Sequence, residues 1–552
     1  MKKIVLAIML GVAVGLVELG YGQFYEPEHL WHRCGEEAHY AFGNYIAGIG
    51  DVNGDGCDDF LTSNRAEVGS SALQGHVLLF YGGNPPDTIP DMVFQNPYPY
   101  GHFGRHLENV GDVNGDGSVD FTIQGIYVED NIDRVFIYYG GTSLDTIPDV
   151  VLTELTYEDA FGFTIEGIGD VNGDGYDDVA VQAANYPWPY SRGKVWIYFG
   201  GNPMDSIADW QLQGYHHTGQ FGKSIAGKGD LNDDGYDDFA IYEWTGYPQG
   251  AITNFYIYFG SAVLDTIPDL TIHGENYYPE YDISDPTAMI PNLDGSPYAS
   301  LIIMAPGTEN GLIFKGGNPM DTIPDVVLQG FDPDPPGYDM NVSVVGDVNG
   351  DGYDDIIASQ TGAYGYGGLV LVYLGSPWMT GQPDMRWQGI MSPWEGCGVS
   401  LTDCGDVNGD GVDDIMFGSY QGDFNTEGCV DIWFGSRDFV VNVPPQHSQP
   451  QPSSFRLLPP YPNPFNANLT IPFEFSINIQ EEFSLKIYNL LGQEVIDLTW
   501  EAMRLTTNST TGIFNVIWEG RDYFGKEVAN GVYLVEMRSG SDRQILKVVL
   551  LK

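Results

Sequence analysis

One phrase returns along this chain and limits what it can fold into. GDVNGDGCDDF begins at Gly50, GDVNGDGSVDF at Gly111, GDVNGDGYDDV at Gly169 and GDLNDDGYDDF at Gly229. It comes back as GDVNGDGYDDI at Gly346 and GDVNGDGVDDI at Gly405, with a worn copy, IPNLDGSPY, at 290–298. The first loop positions, 51, 112, 170, 230, 290, 347 and 406, step by 61, 58, 60, 60, 57 and 59 residues, which makes seven units. A fixed period of this length marks a repeat architecture in which each unit buries its apolar faces against its neighbours.

Other phrases keep step. Phe-Gly precedes the acidic loop at Phe42, Phe103, Phe161 and Phe221, with Cys397-Gly398 in the last unit. An aromatic-rich strand ending in Gly follows, as in Leu79-Phe80-Tyr81-Gly82. Then comes DTIPD or a variant at Asp87, Asp145, Asp205, Asp265 and Asp321. Each unit reads as four short strands bounded by Gly, Pro and Asp turns, without helical periodicity. The predicted fold is all-β: a seven-bladed β-propeller with four-stranded blades, followed by a small β-sandwich. The last unit lacks its outer strand. Residues 27–32 resemble 90–95 and supply a spare one, so the start of the chain is expected to complete blade seven and leave no open sheet edge.

Composition fits. The 72 Gly and 34 Pro among 552 residues favour turns, and 43% apolar residues provide cores. With 22 basic against 76 acidic residues the formal charge is −54, which excludes nucleic acid as a partner because phosphates would be repelled. Lys2 and Lys3, the apolar run 4–17 and the small residues Gly20-Tyr21-Gly22 read as a signal peptide over 1–22, cut near Gly22/Gln23. No later run is long and apolar enough to span a bilayer, so the mature chain is expected to have no transmembrane segment. The propeller is assigned to 23–440, a Pro/Gln/Ser-rich linker to 441–454 and the last domain to 455–552. That domain carries 9 basic and 11 acidic residues, so nearly all the negative charge precedes the linker.

In each acidic loop, oxygen-bearing side chains stand at positions 1, 3, 5 and 9, with a residue at 7 able to offer its main-chain oxygen. Calcium takes roughly 6–8 hard oxygen ligands at about 2.3–2.6 Å, which such a curled loop provides. The six ligand sets are Asp51, Asn53, Asp55, Cys57 and Asp59; Asp112, Asn114, Asp116, Ser118 and Asp120; and Asp170, Asn172, Asp174, Tyr176 and Asp178. The others are Asp230, Asn232, Asp234, Tyr236 and Asp238; Asp347, Asn349, Asp351, Tyr353 and Asp355; and Asp406, Asn408, Asp410, Val412 and Asp414. Taking Ile290 as position 1 and Tyr298 as position 9, unit five is expected to hold no metal. An EF-hand fails, because position 12 is no Glu and strand follows. Six structural Ca²⁺ would offset part of the self-repulsion.

The Phe-Gly, GDVNGDG and YFGG elements together resemble FG-GAP repeats, the seven-bladed propeller of integrin α-chains, over roughly 27–436. The resemblance implies calcium on the six loops and a role in adhesion or recognition of extracellular protein or glycan. The C-terminal phrases YPNPFN at Tyr461, KIYNLLGQEV at Lys486, NGVYL at Asn530 and the closing ILKVVLLK resemble the type A sorting domain of the type IX secretion system. That implies an immunoglobulin-like sandwich, dealings with the secretion machinery, and a secreted or outer-membrane-surface protein of a Gram-negative bacterium.

In a four-stranded meander the acidic loops and the DTIPD turns share one end, and loops 2–3 and 4–1 share the other. That second end holds the candidate ligand face: Tyr98, Tyr100, Tyr127, Tyr186, Trp188, Tyr190, Trp244, Tyr247, Tyr277, Tyr278, Tyr364, Tyr366 and Trp394. Five cysteines, at 34, 57, 397, 404 and 429, sit in blades one and seven or the closing strand. In an exported chain Cys34–Cys429 is the expected disulfide. No HExxH, GxSxG, P-loop or dinucleotide fingerprint occurs, so no enzyme is expected. A polysaccharide lyase or hydrolase on this scaffold and a structural surface-layer component are the alternatives.

Overall fold

The computed structural model describes residues 16–19, 23–25, 30–35, 42–64, 75–97, 103–127, 132–153, 161–183, 192–216, 219–245, 253–274, 287–305, 310–330, 340–361, 368–388, 395–421, 428–437 and 439 of a first unit. Of a second it describes 455–457, 460–461, 465–475, 483–489, 494–499, 513–521, 523, 526–539 and 542–551. The two compact units are 1–443 and 444–552.

In the first unit, alternating apolar residues bounded by Gly and Asp turns form seven antiparallel meanders. Blade one is Ile46–Gly50, Asp59–Asn64, His76–Phe80 and Met92–Gln95, paired in that order. Blades two to six repeat the pattern, beginning with the inner strands Phe103–Gly111, Phe161–Gly169, Gly219–Gly229, Thr287–Ile290 and Met340–Val344. Blade seven comprises Glu395–Asp403, Ile415–Gln421 and Cys429–Trp433, and Leu30–Cys34 supplies its fourth strand. The inner strand of each blade contacts the next, and that of blade seven contacts that of blade one, so the ring is closed.

The closing strand sits two residues later than the likeness to 90–95 suggests. Trp31, rather than His29, pairs in the place of Met92, facing Ile432 as Met92 faces Leu79. Trp31 is buried edge-on against Phe60 and Phe80 of blade one, so a large apolar anchor decides the register. Leu16–Leu19, inside the expected signal segment, pairs with Met385–Gln388 at the outer edge of blade six.

The core lies between blades. One cluster joins Leu61, Val77 and Phe94 of blade one to Phe103, Phe121 and Tyr138 of blade two. The Phe-Gly pair belongs to this packing. Phe103 is fully buried, and Gly104 has φ +79°, where a Cβ would stand 2.6 Å from Val77 Cγ2 of the preceding blade. Only glycine permits both the backbone and the approach.

The second unit has two sheets. One orders Phe455–Leu457, Leu469–Phe475 and Ile513–Trp518; the other orders Glu494–Asp497, Phe483–Asn489, Gly531–Ser539 and Asp542–Leu550. A single apolar cluster including Phe473, Val516 and Trp518 from one, and Leu485, Val535 and Val548 from the other, makes it a sandwich.

Candidate metal centre and ligand face

Each acidic loop curls around its own first aspartate. Asp51 Oδ1 accepts from Gly54 N at 2.7 Å and Asp55 N at 3.0 Å, and Oδ2 accepts from Gly56 N at 2.8 Å. The position-6 glycine donates to the position-1 carboxylate in all six intact loops. The position-9 aspartate begins the second strand. Its Oδ2 accepts from residue 2 of the loop and its Oδ1 from the glycine ending strand three, as with Val52 N at 3.1 Å and Gly82 N at 2.8 Å on Asp59. The same two bonds recur at Asp120, Asp178, Asp238, Asp355 and Asp414.

These six position-9 carboxylates have no exposed surface. Burial, with the position-1 and position-5 aspartates adding repulsion and backbone N–H groups opposing it, pushes Asp59 and Asp120 up to about 7. Asp178, Asp238 and Asp414 rise to about 8 and Asp355 to about 9. Asn114 Oδ1 and Asn232 Oδ1, at position 3 of the second and fourth loops, are buried and lack a hydrogen-bond partner. A buried carboxylate beside two more exposed ones, with an orphaned amide oxygen in two of the loops, is a donor set that fits a hard cation.

The position-8 aspartate does something spacing alone could not reveal: it reaches the preceding blade. Asp58 Oδ2 accepts from Asp406 N at 2.7 Å, Asp177 from Asp112 N at 2.7 Å and Asp237 from Asp170 N at 3.0 Å. Asp354 accepts from Asn292 N at 2.8 Å and Asp413 from Asp347 N at 2.7 Å. Val119 and Ala299 stand at this position in blades two and five and have no carboxylate to offer.

Blade five corrects the reading of the worn loop. Asp354 N bonds Asn292 O as Asp413 N bonds Asp347 O, so Asn292 is position 1, not Ile290. Ser300 pairs with Lys315 one step before Leu301 with Phe314, as Asp238 precedes Phe239 opposite Tyr258, so Ser300, not Tyr298, is position 9. Two residues of displacement were invisible because the worn loop has lost the aspartates that mark the frame. Only Asp294 keeps a carboxylate there, and Lys315 Nζ lies 2.5 Å from its Oδ2. Lys315 replaces the aromatic residue of blades one to four (Tyr81, Tyr139, Phe199, Phe259) and lowers the Asp294 carboxyl's affinity for its proton. A built-in ammonium thus supplies the positive charge. Lys315→Met should cost about 1–2 kcal/mol, because it strands a partly buried carboxylate; a urea melt within error of the parent would refute the pairing's role.

The acidic-loop end is tied blade to blade, for Gly83 N bonds Val407 O and Gly141 N bonds Val52 O. At the opposite end, eleven of the thirteen expected aromatics lie outside the described residues: Tyr98, Tyr100, Tyr186, Trp188, Tyr190, Tyr247, Tyr277, Tyr278, Tyr364, Tyr366 and Trp394. Tyr127 is described as the end of its strand. Trp244 is half-buried against the core between blades four and five, with Lys223 Nζ 5.4 Å over its ring. Two exposed aromatics that the sequence reading missed are Phe163, near the start of its inner strand, and Tyr215, whose backbone follows an outer strand while its hydroxyl donates to Thr266 O of the DTIPD turn. The inner strands enclose a cavity of about 680 Å³ whose lining includes Phe163, Arg105, Lys223, Glu108 and Glu166. Lys228, at φ 65°, spans it to Asn109 O at 2.6 Å.

Blade four also gathers a cluster. Fully buried Glu243 accepts from His216 N, from His216 Nδ1 at 2.8 Å and from Tyr256 OH at 2.7 Å. Its lone pairs are thereby committed to fixing the loop that carries Tyr215.

Comparison with known proteins matches two segments of the chain. Residues 163–198 match the FG-GAP repeat, and residues 460–551 match the secretion system C-terminal sorting domain. The chain carries an FG-GAP repeat within its propeller and a C-terminal sorting domain. Integrin alpha-5 of Xenopus laevis is 26% identical over 250 residues, 43% of this chain and 22% of its own length. Integrin alpha-IIb of Mus musculus is 36% identical over 152 residues, 25% of this chain and 14% of its own. The chain therefore spans about a fifth or less of these relatives. Among solved structures, PorZ of Porphyromonas gingivalis, described as a surface component of the type-IX secretion system, aligns at a TM-score of 0.32 and 13% identity, over 89% of this chain and 58% of that one. That likeness is too distant to carry an argument. The sorting domain makes this a secreted or cell-surface protein that engages a secretion machinery. Among the described residues no helix is long and apolar enough to cross a membrane.

Proposed function

We propose that this protein is a calcium-stabilised recognition module, displayed or released outside the cell, that binds an extracellular protein or glycan through the end formed by loops 2–3 and 4–1. Six Ca²⁺ sit in the intact acidic loops, held by the side chains at positions 1, 3, 5 and 9 and the main-chain oxygen at 7; blade five uses Lys315 instead. The observation that carries the reading is the division of labour between the two ends. The acidic-loop end is consumed by bonds within and between blades, which points to the opposite end, where Phe163 is exposed, as the end available for a ligand.

A catalytic reading has less support. The one carboxylate–histidine–tyrosine cluster at that end, around Glu243, spends its acceptors internally, and no second carboxylate is paired with it there among the described residues. A glycan and protein array with the full chain in Ca²⁺ tests the proposal. Binding should be lost in Phe163→Ala, Trp188→Ala or Trp394→Ala with the melting curve unchanged. Cleaved products would favour the enzyme instead, and no ligand on either array would overturn recognition.

A further inference from the structure

Four side chains of metal-ligating type share one face of the clasp that closes the ring. His32 and Cys34 are two apart on Leu30–Cys34 and so point to the same side. In register, Asp431 lies opposite His32 and Cys429 opposite Cys34. Cys34 and Cys429 are joined by a disulfide. His32 Nε2 stands 3.2 Å from Cys34 Sγ, and its Nδ1 stands 2.6 Å from Asp431 Oδ1. The imidazole and the two sulfurs fall within 4.8 Å of one another. His32 is exposed while Asp431 and Cys429 are buried, so the group opens to solvent on one side only.

We propose that the reduced form of this clasp binds a thiophilic divalent ion of the Zn²⁺ class, so that metal and disulfide are alternative closures of the same strand pair. A dithiol reductant delivers two electrons and two protons, the S–S bond breaks, and the reductant leaves as its own disulfide. Zn²⁺ then displaces both thiol protons and binds two thiolates and neutral His32 Nε2, with water completing four-coordination. Nδ1–H donates a hydrogen bond to Asp431 Oδ1, which fixes the tautomer that leaves Nε2 free to ligate. Soft sulfur and imidazole donors favour this class of ion and hard oxygens favour Ca²⁺, so the clasp and the acidic loops select different metals.

The ring is also sealed by five register pairs and by buried Trp31, so the reduced chain should remain folded. The test uses the full chain, reduced with a phosphine and kept in Ca²⁺, titrated first with Co²⁺ and then with Zn²⁺. One equivalent of Co²⁺ should give a thiolate charge-transfer band that Zn²⁺ abolishes, with two protons released. Mass mapping should show Cys34 and Cys429 shielded from alkylation by Zn²⁺. His32→Ala and Asp431→Asn should each weaken binding by about tenfold or more. Absence of the band, its persistence in Cys34→Ser, or equal alkylation with and without Zn²⁺ would overturn the proposal. If the reduced chain melts early, Zn²⁺ must restore the transition, and failure to do so also refutes it. None of these readouts depends on the array experiment or on Ca²⁺ in the acidic loops.

Discussion

Chelation with EDTA is expected to lower the propeller's melting temperature by about 15 °C, and added Ca²⁺ to restore it. A site saturated at about 100 times its dissociation constant contributes roughly 2.7 kcal/mol to the folded state, and the chain offers six such sites. In a ring this large one kcal/mol moves the midpoint by only about a degree or so, because the unfolding entropy scales with length. The loss follows from the position-9 aspartates. Without a cation they are carboxyl groups with no exposed surface, beside two further carboxylates each, and can escape buried charge only by taking up a proton. Removing the ion leaves backbone N–H groups to hold them, helped at Asp414 by the Asn408 amide. Calorimetry on matched Ca²⁺ and EDTA samples reads the effect directly; superimposable curves would mean the turns are held by hydrogen bonds alone.

The second large effect is an inversion of pH dependence. In the metal-free chain Asp59, Asp120, Asp178, Asp238, Asp355 and Asp414 titrate at about 7 to 9, against about 3.9 in an unfolded chain. Between pH 4 and 7 the folded state therefore holds more protons than the unfolded one, and stability falls as pH rises, by up to about 1.4 kcal/mol per pH unit for each group. Bound Ca²⁺ reverses the sign. It requires the ionised carboxylate, depresses the folded pKa below the unfolded one, and gives stability that is lost as acid displaces the metal. Melting temperature against pH should thus decline from pH 5 to 8 in EDTA, whereas in saturating Ca²⁺ it should stay level over that span and fall only below about pH 4. Parallel slopes would show that these carboxylates are not ligands.

Much of this was legible in the residues. Six near-identical loops at one period announce seven units, and a missing final strand together with a spare initial one announces closure. Cys34 at the end of one strand and Cys429 at the start of the next are joined in the structure. What escaped has physical reasons. The frame of blade five could not be read because Asn292, Ser296 and Ser300 replaced its defining carboxylates, and only hydrogen bonds to Asp354 and the pairing of Ser300 with Lys315 recover it. Lys315 looked like any surface lysine until the fold set it beside Asp294. The doubled aspartate hid a division of roles: position 9 serves its own loop, whereas position 8 serves a neighbour 65 residues away, as Asp177 does for Asp112. Glu243 gave no sign, since its donors come from two separate segments, His216 and Tyr256.

The places where that neighbouring bond is lost matter for how the molecule comes apart. With valine at 119 and alanine at 299, the joints between blades one and two and between four and five lack the carboxylate latch that the other five joints possess. Those two seams divide the circle into an arc of three blades and an arc of four. Under pulling force or mild denaturant the circle should crack there first, with amide exchange quickening along both seams while each arc still holds together.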